Sequence, residues 1–362
     1  MHLGFGLYQH MLNDSNYAFA RQAGATHIIA HLTDYFYQGD SDGGKDQPVG
    51  TVNRGWGYAI EEEVWSVKKL RGLKEDMAKH GLTLEALENI SPAFWHDVLL
   101  DGPKRDEQIA KVQQLIRNMG EAGIPILGYN FALAGVSGRI KGAFARGGAE
   151  AVGMDGISED IEAPIPLGMA WNMIYDRNPP EGFLESISHE ELLRRYRAFL
   201  TEVLPMAEEA GVVLAIHPDD PPLEKVRQQP RLGYHPNHYK ELMAMEPSPN
   251  HVMELCIGTL GEMAEGDLYE AVEYFAKNHK IGYLHCRNIR YKVPYYKETF
   301  VDEGEIDMAR ILRLLKKHNF EGVLIPDHAP QMSCEAPWHA GMAFAMGYFK
   351  ALLQQIENET NS

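Results

Sequence analysis

Short apolar runs recur along the chain, each followed by a longer amphipathic stretch. LGFGLY at 3–8, THIIAHL at 26–32, TLEALEN at 83–89 and PILGYNF at 125–131 occupy the first half. VVLAIH at 212–217, HVMELC at 251–256, IGYLHC at 281–286 and GVLIPD at 322–327 follow, which makes eight predicted strands. Between them, helical spacing predicts helices over 61–80, 105–123, 190–210, 262–279 and 307–319. The order is therefore strand, helix, strand throughout. EAGIPILGYN, EAGVVLAIHPDD and KNHKIGYLHCRN repeat one junction, in which a helix ends, the chain turns and an apolar strand begins. Alternating units without a Gly-rich phosphate loop favour a closed barrel over a doubly wound sheet. The expected fold is α/β, a (β/α)8 TIM barrel, with residues 1–362 forming one domain.

Two connections exceed ordinary loop length: 33–60, rich in Gly and Asp, and 132–189, with GRIKGAFARGGAEAVG followed by several prolines. They follow strands 2 and 4, so the expectation is a pair of lid-like insertions above the catalytic face. The tail LLQQIENETNS is expected to be the fraying end of a helix.

Composition narrows the classes. With 44% hydrophobic and 23% charged residues, the chain can bury a large core. A formal net charge of −17 and the lack of any basic run argue against nucleic acid as a partner. Cys256, Cys286 and Cys334 are an odd number in a long chain, which speaks against a disulfide framework and for a reducing compartment. The first residues lack a basic region followed by a sustained apolar core, and no apolar run is long enough to span a bilayer. A cytoplasmic protein with no membrane partner is expected.

The chemistry lies where polar residues meet the predicted strands. His31, Glu88, Asn130, His217, Cys256, His285 and Asp327 all fall at carboxyl ends, which in a barrel converge on one mouth. Any one of these histidines, taken singly, reads more readily as a satisfied polar residue, and Cys256 or Cys286 as core. Jointly the balance reverses. His217, Cys256, His285 and Asp327 come from four successive strands, and two imidazoles, a thiolate and a carboxylate make a competent divalent site. Manganese, iron, cobalt and zinc all remain open on ligand chemistry. Asp219 and Asp220, in IHPDDPP, are placed to orient a ligand imidazole or contact a substrate, and equally to shape a turn.

These motifs carry a resemblance. IHPDDPP at 216–222, ELCIGTLGEM at 254–263, LHCRNI at 284–289, EGEIDM at 303–308 and PDH at 326–328 resemble the mannonate dehydratase family. RQAGATHII at 21–29 and AGIPILGYNF at 122–131 extend the match into the N-terminal half. The resemblance implies a metal-dependent barrel that removes water from D-mannonate to give 2-keto-3-deoxy-D-gluconate. It also implies a cation, Mn2+ foremost with Fe2+, Co2+ or Zn2+ as alternatives, on His217, Cys256, His285 and Asp327. The histidine after the metal-binding aspartate, here His328, is implied as the catalytic acid/base.

A general acid or base near neutral pKa suits removal of a proton beside a carboxylate and protonation of the departing hydroxyl. Arg287 is a candidate partner for the substrate carboxylate through its planar fork, or for a neighbouring barrel acid. Asn130, His31, His96 and Asp219 are expected to contact substrate.

The chain departs from the family in two segments. ALAGVSGRIKGAFARGGAE stands where the family carries an Asp-Trp-Thr-Arg-Thr type stretch, leaving Arg139 or Arg146 as substitutes. After PDH the family has a catalytic tyrosine, whereas Trp338 and His339 stand there in this chain, with His339 the candidate replacement. The competing readings are a sugar isomerase or epimerase of the xylose-isomerase-like class, whose product is isomeric with its substrate, and a non-catalytic sugar-acid sensor. A small sugar acid is the expected partner, and a homo-oligomer the expected assembly.

Overall fold

The computed structural model describes residues 1–36, 55–59 and 63–361. Most of the first predicted insertion, 37–54 and 60–62, lies outside the described residues.

Eight parallel strands close into a barrel: β1 His2–Leu7, β2 His27–His31, β3 Thr83–Glu88, β4 Ile126–Tyr129, β5 Val213–Ile216, β6 His251–Cys256, β7 Ile281–His285 and β8 Val323–Ile325. Each pairs with its sequence neighbour, and β1 closes on β8 with His2 opposite Val323. One helix packs outside after each strand: α1 Asp14–Gln22, α2 Val67–Ala78, α3 Arg105–Ala122, α4 His189–Ala210, α5 Pro236–Met245, α6 Leu268–Lys277, α7 Met308–Lys317 and α8 Pro337–Asn361. This is the (β/α)8 barrel expected from the alternation of strand and helix patterns.

The helices start where the sequence offers an oxygen to unpaired amides. Asn13, Ser66, Ser188 and Asp307 each accept a backbone N–H from the first turn of α1, α2, α4 and α7. Helices α1 and α5 lie outside the five helical stretches that the spacing predicts. The long prediction over 262–279 resolves into a short helix Ile257–Glu262 that opens directly from β6, followed by α6.

Side-chain alternation along a strand divides the core in two. Ile29, Ala86, Ile126, Ala215, Val252, Tyr283, Val323 and Ile325 fill the barrel interior as one buried cluster. The alternate residues pack outward against the helices in the larger cluster that includes Phe5, Ile28, Leu87, Leu127 and Leu255. The stretch 132–189 is not a structureless loop. Its strands Ile140–Ala145 and Ala149–Gly153 join Lys297–Thr299 and Asn288–Arg290, which follow β7, in one four-stranded sheet. A lid-like role for this stretch rests on that attachment to the segment after β7. Among the described residues no helix is long and apolar enough to cross a membrane.

Candidate metal centre and active site

The interior layer predicts which side chains reach the mouth, because each inward position is followed two residues later by another. Above Ile29 stands His31, above Ala86 Glu88, above Ala215 His217 and above Tyr283 His285. Val252 is succeeded by Glu254 and Cys256, and Ile325 by Asp327.

One donor atom each from His217, Cys256 and His285 lies within 4.8 Å of the others. Asp327 Oδ1 is 3.6 Å from His285 Nδ1, which completes the two-imidazole, thiolate and carboxylate set. Its chemistry fits a divalent cation on two observations. His285 Nδ1 is buried without a hydrogen-bond partner, an atom whose lone pair or proton is otherwise wasted. Cys256 is fully buried, yet its sulfur accepts the Thr259 hydroxyl at 3.1 Å and the Thr259 backbone amide at 3.4 Å. Burial alone disfavours a thiolate, but Arg287 and the two histidines outweigh it and hold the Cys256 thiol well below its ordinary value. His217 moves the other way: burial opposes its charge, the bond to Cys256 favours it, and its pKa rises to about 9. The two shifts act together: each group favours the charged form of the other.

Beneath it, Glu88, Glu254 and His285 form a second buried triad with donor atoms within 4.8 Å. Glu88 Oε2 lies 3.1 Å from His285 Nε2, and Glu254 Oε1 lies 3.3 Å from the same nitrogen. Burial opposes ionisation of Glu88, but His31 and His285 draw it down to about 2. Burial and the charge of Glu88 push Glu254 up to about 8, so the pair shares its burden unequally, with Glu88 anionic. Gly128 on β4 makes room for this layer: a Cβ there would collide with Glu254 Oε2 and the Tyr283 hydroxyl.

His328 stands beside the centre. Its Nδ1 is 3.2 Å from Glu298 Oε1 and its Nε2 is 3.2 Å from Asp327 Oδ1. Glu298 comes from the Lys297–Thr299 strand, so the sheet built on 132–189 supports this histidine.

Arg287 does not reach the cavity. It is 1% exposed, both Nη atoms are hydrogen-bonded inside the protein, and Nε has an ion-pair contact without a hydrogen bond. Nε faces Asp327 at 3.2 Å, Nη1 meets Glu262 and, at 3.0 Å, Glu298, and Nη2 donates to Asp220 at 2.7 Å and Thr259 at 2.9 Å. The expected partner of a substrate carboxylate is instead the internal cation that holds a ligand aspartate and the support of His328. Gly258 permits this, since a Cβ there would strike Arg287 Cγ.

Arg139 occupies the position at the cavity that Arg287 does not. It lines the same cavity as His31, Glu88, Asn130, His217, His285, Asp327 and His328, and its Nη2 donates to Asp220 at 2.9 Å. Arg146, its alternative, is half exposed and paired with Asp302 at 2.9 Å.

Two other expectations fall outside the cavity. His96 bonds Pro92 O through Nδ1 at 2.8 Å and stacks on Tyr175 with ring centroids 4.0 Å apart, on the outer layer. His339, on the first turn of α8, packs against Phe19 at 4.7 Å, and Trp338 beside it packs on Phe5 at 5.7 Å. Neither supplies the missing phenol at the mouth. Asp219 is also turned inward, accepting the Gly233 amide at 3.1 Å and facing Arg231 at 3.7 Å, while Asp220 meets the cavity.

Sequence reasoning missed Tyr8, Tyr35, Trp56, Asn89 and Trp171, all of which line the cavity. Tyr8 was available to the same two-residue alternation, following Gly4 and Gly6 on β1. Asn89 adopts φ +69°, a left-handed conformation that asparagine tolerates better than most residues, and this turns its amide towards Tyr35 and Asn130.

Solved structures share this parallel eight-stranded barrel. A xylose isomerase domain protein from Planctomyces limnophilus superposes with a TM-score of 0.57 at 11% identity, covering 98% of both chains. The mannonate dehydratase from Streptococcus suis serotype 2 superposes with a TM-score of 0.78 at 23% identity, over 100% of this chain and 95% of that one. Both likenesses are of fold. Sequence is more specific: residues 21–362 match the model of the D-mannonate dehydratase (UxuA) family. Mannonate dehydratase 2 of Halalkalibacterium halodurans is 30% identical over 280 residues, 73% of this chain and 79% of its own length. The chain belongs to the D-mannonate dehydratase family, which are hydro-lyases.

Proposed function

We propose that this enzyme dehydrates a six-carbon aldonic acid, D-mannonate foremost, to the 2-keto-3-deoxy acid and water, with Mn2+ held by His217, Cys256, His285 and Asp327. The observation that carries this reading is the convergence of His217, His285, Asp327, His328 and Arg139 on one cavity, with the buried Cys256 clustered against the two ligand histidines. The family assignment favours it over the isomerase alternative. When bound, the cation supplies Lewis acidity where charge builds beside the substrate carboxylate.

The chain's own groups divide the remaining work. Arg139, the fixed cation at the cavity, pairs with the substrate carboxylate, while Asp220 keeps its guanidinium in place. His328, braced by Glu298, takes the C2 proton. The C3–O bond then breaks, and the leaving hydroxyl accepts the proton from the His328 imidazolium and departs as water. The resulting enol gains a proton at C3 as C2 becomes the ketone, so no oxidant or reductant is needed. His31 and Asn130 face the substrate hydroxyls. In the same reading the enzyme works in the cytoplasm as a homo-oligomer on a small molecule.

The deciding experiment incubates the metal-loaded protein with a panel of aldonic acids and scores 2-keto-3-deoxy products, with and without chelator. A product isomeric with its substrate, or turnover that survives complete metal removal, overturns the proposal.

A further inference from the structure

Glu88 is a strand-end carboxylate between the proposed metal centre and the cavity: it hydrogen-bonds His285 and stands at ion-pair distance from His31, where a hydrogen-bonded run to Asn130 begins. A carboxylate only accepts, whereas a neutral imidazole has one donor and one acceptor nitrogen. Glu88 Oε2 faces His285 Nε2 at 3.1 Å and His31 Nε2 at 3.6 Å. Both rings therefore present N–H at Nε2; Nδ1 of His31 is left as an acceptor, and Nδ1 of His285 is the atom left to take a cation once that cation displaces its proton. For His285, Nδ1 is the unpartnered buried atom that faces Asp327 within the ligand cluster. For His31, Nδ1 is 3.3 Å from the Tyr35 hydroxyl, which must donate. Tyr35 Oη then accepts Asn89 Nδ2 at 2.8 Å, and Asn89 Oδ1 accepts Asn130 Nδ2 at 2.7 Å. Every donor in the series points the same way, and Asn130 Oδ1 is left to accept a hydroxyl in the cavity.

We propose that Glu88 is a positioning residue that fixes His285 with Nδ1 towards the cation and sets the polarity of the chain ending at Asn130. Glu88 is not itself a ligand. The inference rests on the four-ligand centre proposed above. A histidine ligand whose far nitrogen donates to a carboxylate is held in the right tautomer and orientation and is a better donor, and loss of such a partner weakens metal binding by about 10–100-fold.

The test uses the metal alone. Mn2+ affinity and stoichiometry are measured on the full chain by titration against a competing chelator, for the wild type and Glu88→Gln. The expected result is one ion per chain in both, bound roughly tenfold or more weakly by the variant. A second measurement needs no variant: long-range 1H–15N spectra of the Zn2+-loaded, 15N-histidine-labelled wild type. There His285 is expected to carry its proton on Nε2 and the metal on Nδ1. Equal affinity in the two proteins overturns the inference while leaving the metal centre standing. Two ions per chain in the wild type falling to one in Glu88→Gln overturns it by making Glu88 a ligand, as does a His285 that binds through Nε2. A wild type that binds no ion overturns this inference together with the four-ligand reading.

Discussion

Arg287 Nε lies 3.2 Å from Asp327 Oδ2, setting a buried guanidinium against the carboxylate of the proposed metal centre. The same side chain meets Asp220, Glu262 and Glu298, so one cation offsets a cluster of acids that would otherwise repel one another in a low-dielectric interior. Arg287→Met is expected to destabilise the fold by about 3–5 kcal/mol, since it leaves uncompensated buried carboxylates. Chemical denaturation of the metal-free protein checks this. A variant of native stability whose only defect is a raised KM would return Arg287 to the substrate.

Arg139 makes the opposite prediction. Asp220, with which it pairs, keeps Arg287 as a counter-charge, so Arg139→Gln is expected to unfold near the wild-type midpoint. Loss of a buried charge-assisted pair with the substrate costs about 2 kcal/mol or more, which is about 30-fold in kcat/KM. Steady-state kinetics with an aldonic acid and with the matching neutral aldose separate the cases: only the acid should lose binding. An equal loss for both would remove Arg139 from carboxylate recognition.

His328→Gln is expected to lower kcat by roughly 10²–10⁴-fold, the usual contribution of a positioned acid or base. Metal content should stay at the wild-type value, because His328 touches Asp327 without belonging to the ligand set. Metal analysis beside the kinetics checks both halves, and unchanged turnover would end its assigned role.

Metal affinity should depend on pH. His217 has a folded pKa raised to about 9 from an ordinary value of 6.5. Its proton therefore stabilises the metal-free fold fully below about 6.5, and that contribution fades as pH rises through about 9. A cation must displace that proton, and that of His285, whose pKa is raised as well, so apparent affinity is expected to tighten by at least about tenfold per pH unit across this window. Titrations in buffers of different ionisation enthalpy count the protons released. An affinity that is flat from pH 6.5 to 9 contradicts the assignment of His217 as a ligand.

His96 and His339 lie away from the cavity, stacked on Tyr175 and Phe19 respectively. Alanine at either position is expected to change kcat/KM by less than about twofold, with any loss falling on stability as is usual for packing residues. A hundredfold fall in kcat for His339→Ala at native stability would restore it as the missing tyrosine's replacement.

The residues that could be placed from sequence are those on barrel strands. There the side-chain direction repeats every second residue and all eight strands end at one mouth, so position in the chain gives position in space. His31, Glu88, Asn130, His217, His285 and Asp327 were legible for that reason, and Tyr8 would have been by the same alternation. Cys256 follows Glu254 in the same way. Sequence left Arg287 between a substrate carboxylate and a neighbouring barrel acid, because its partners Asp220, Glu262, Glu298 and Asp327 come from four separate segments and only their convergence decides for the acids.

Arg139, Tyr35, Trp56 and Trp171 come from the long connections after β2 and β4, where no periodicity governs direction. His339 sits on a helix whose phase turns it towards Phe19, which proximity in sequence to His328 could not reveal. Sequence by itself determined the barrel and the donors at its mouth, because strand geometry is periodic. Tertiary structure alone decided which cation is held inside the protein and which faces the cavity, because that depends on charges brought together from distant parts of the chain.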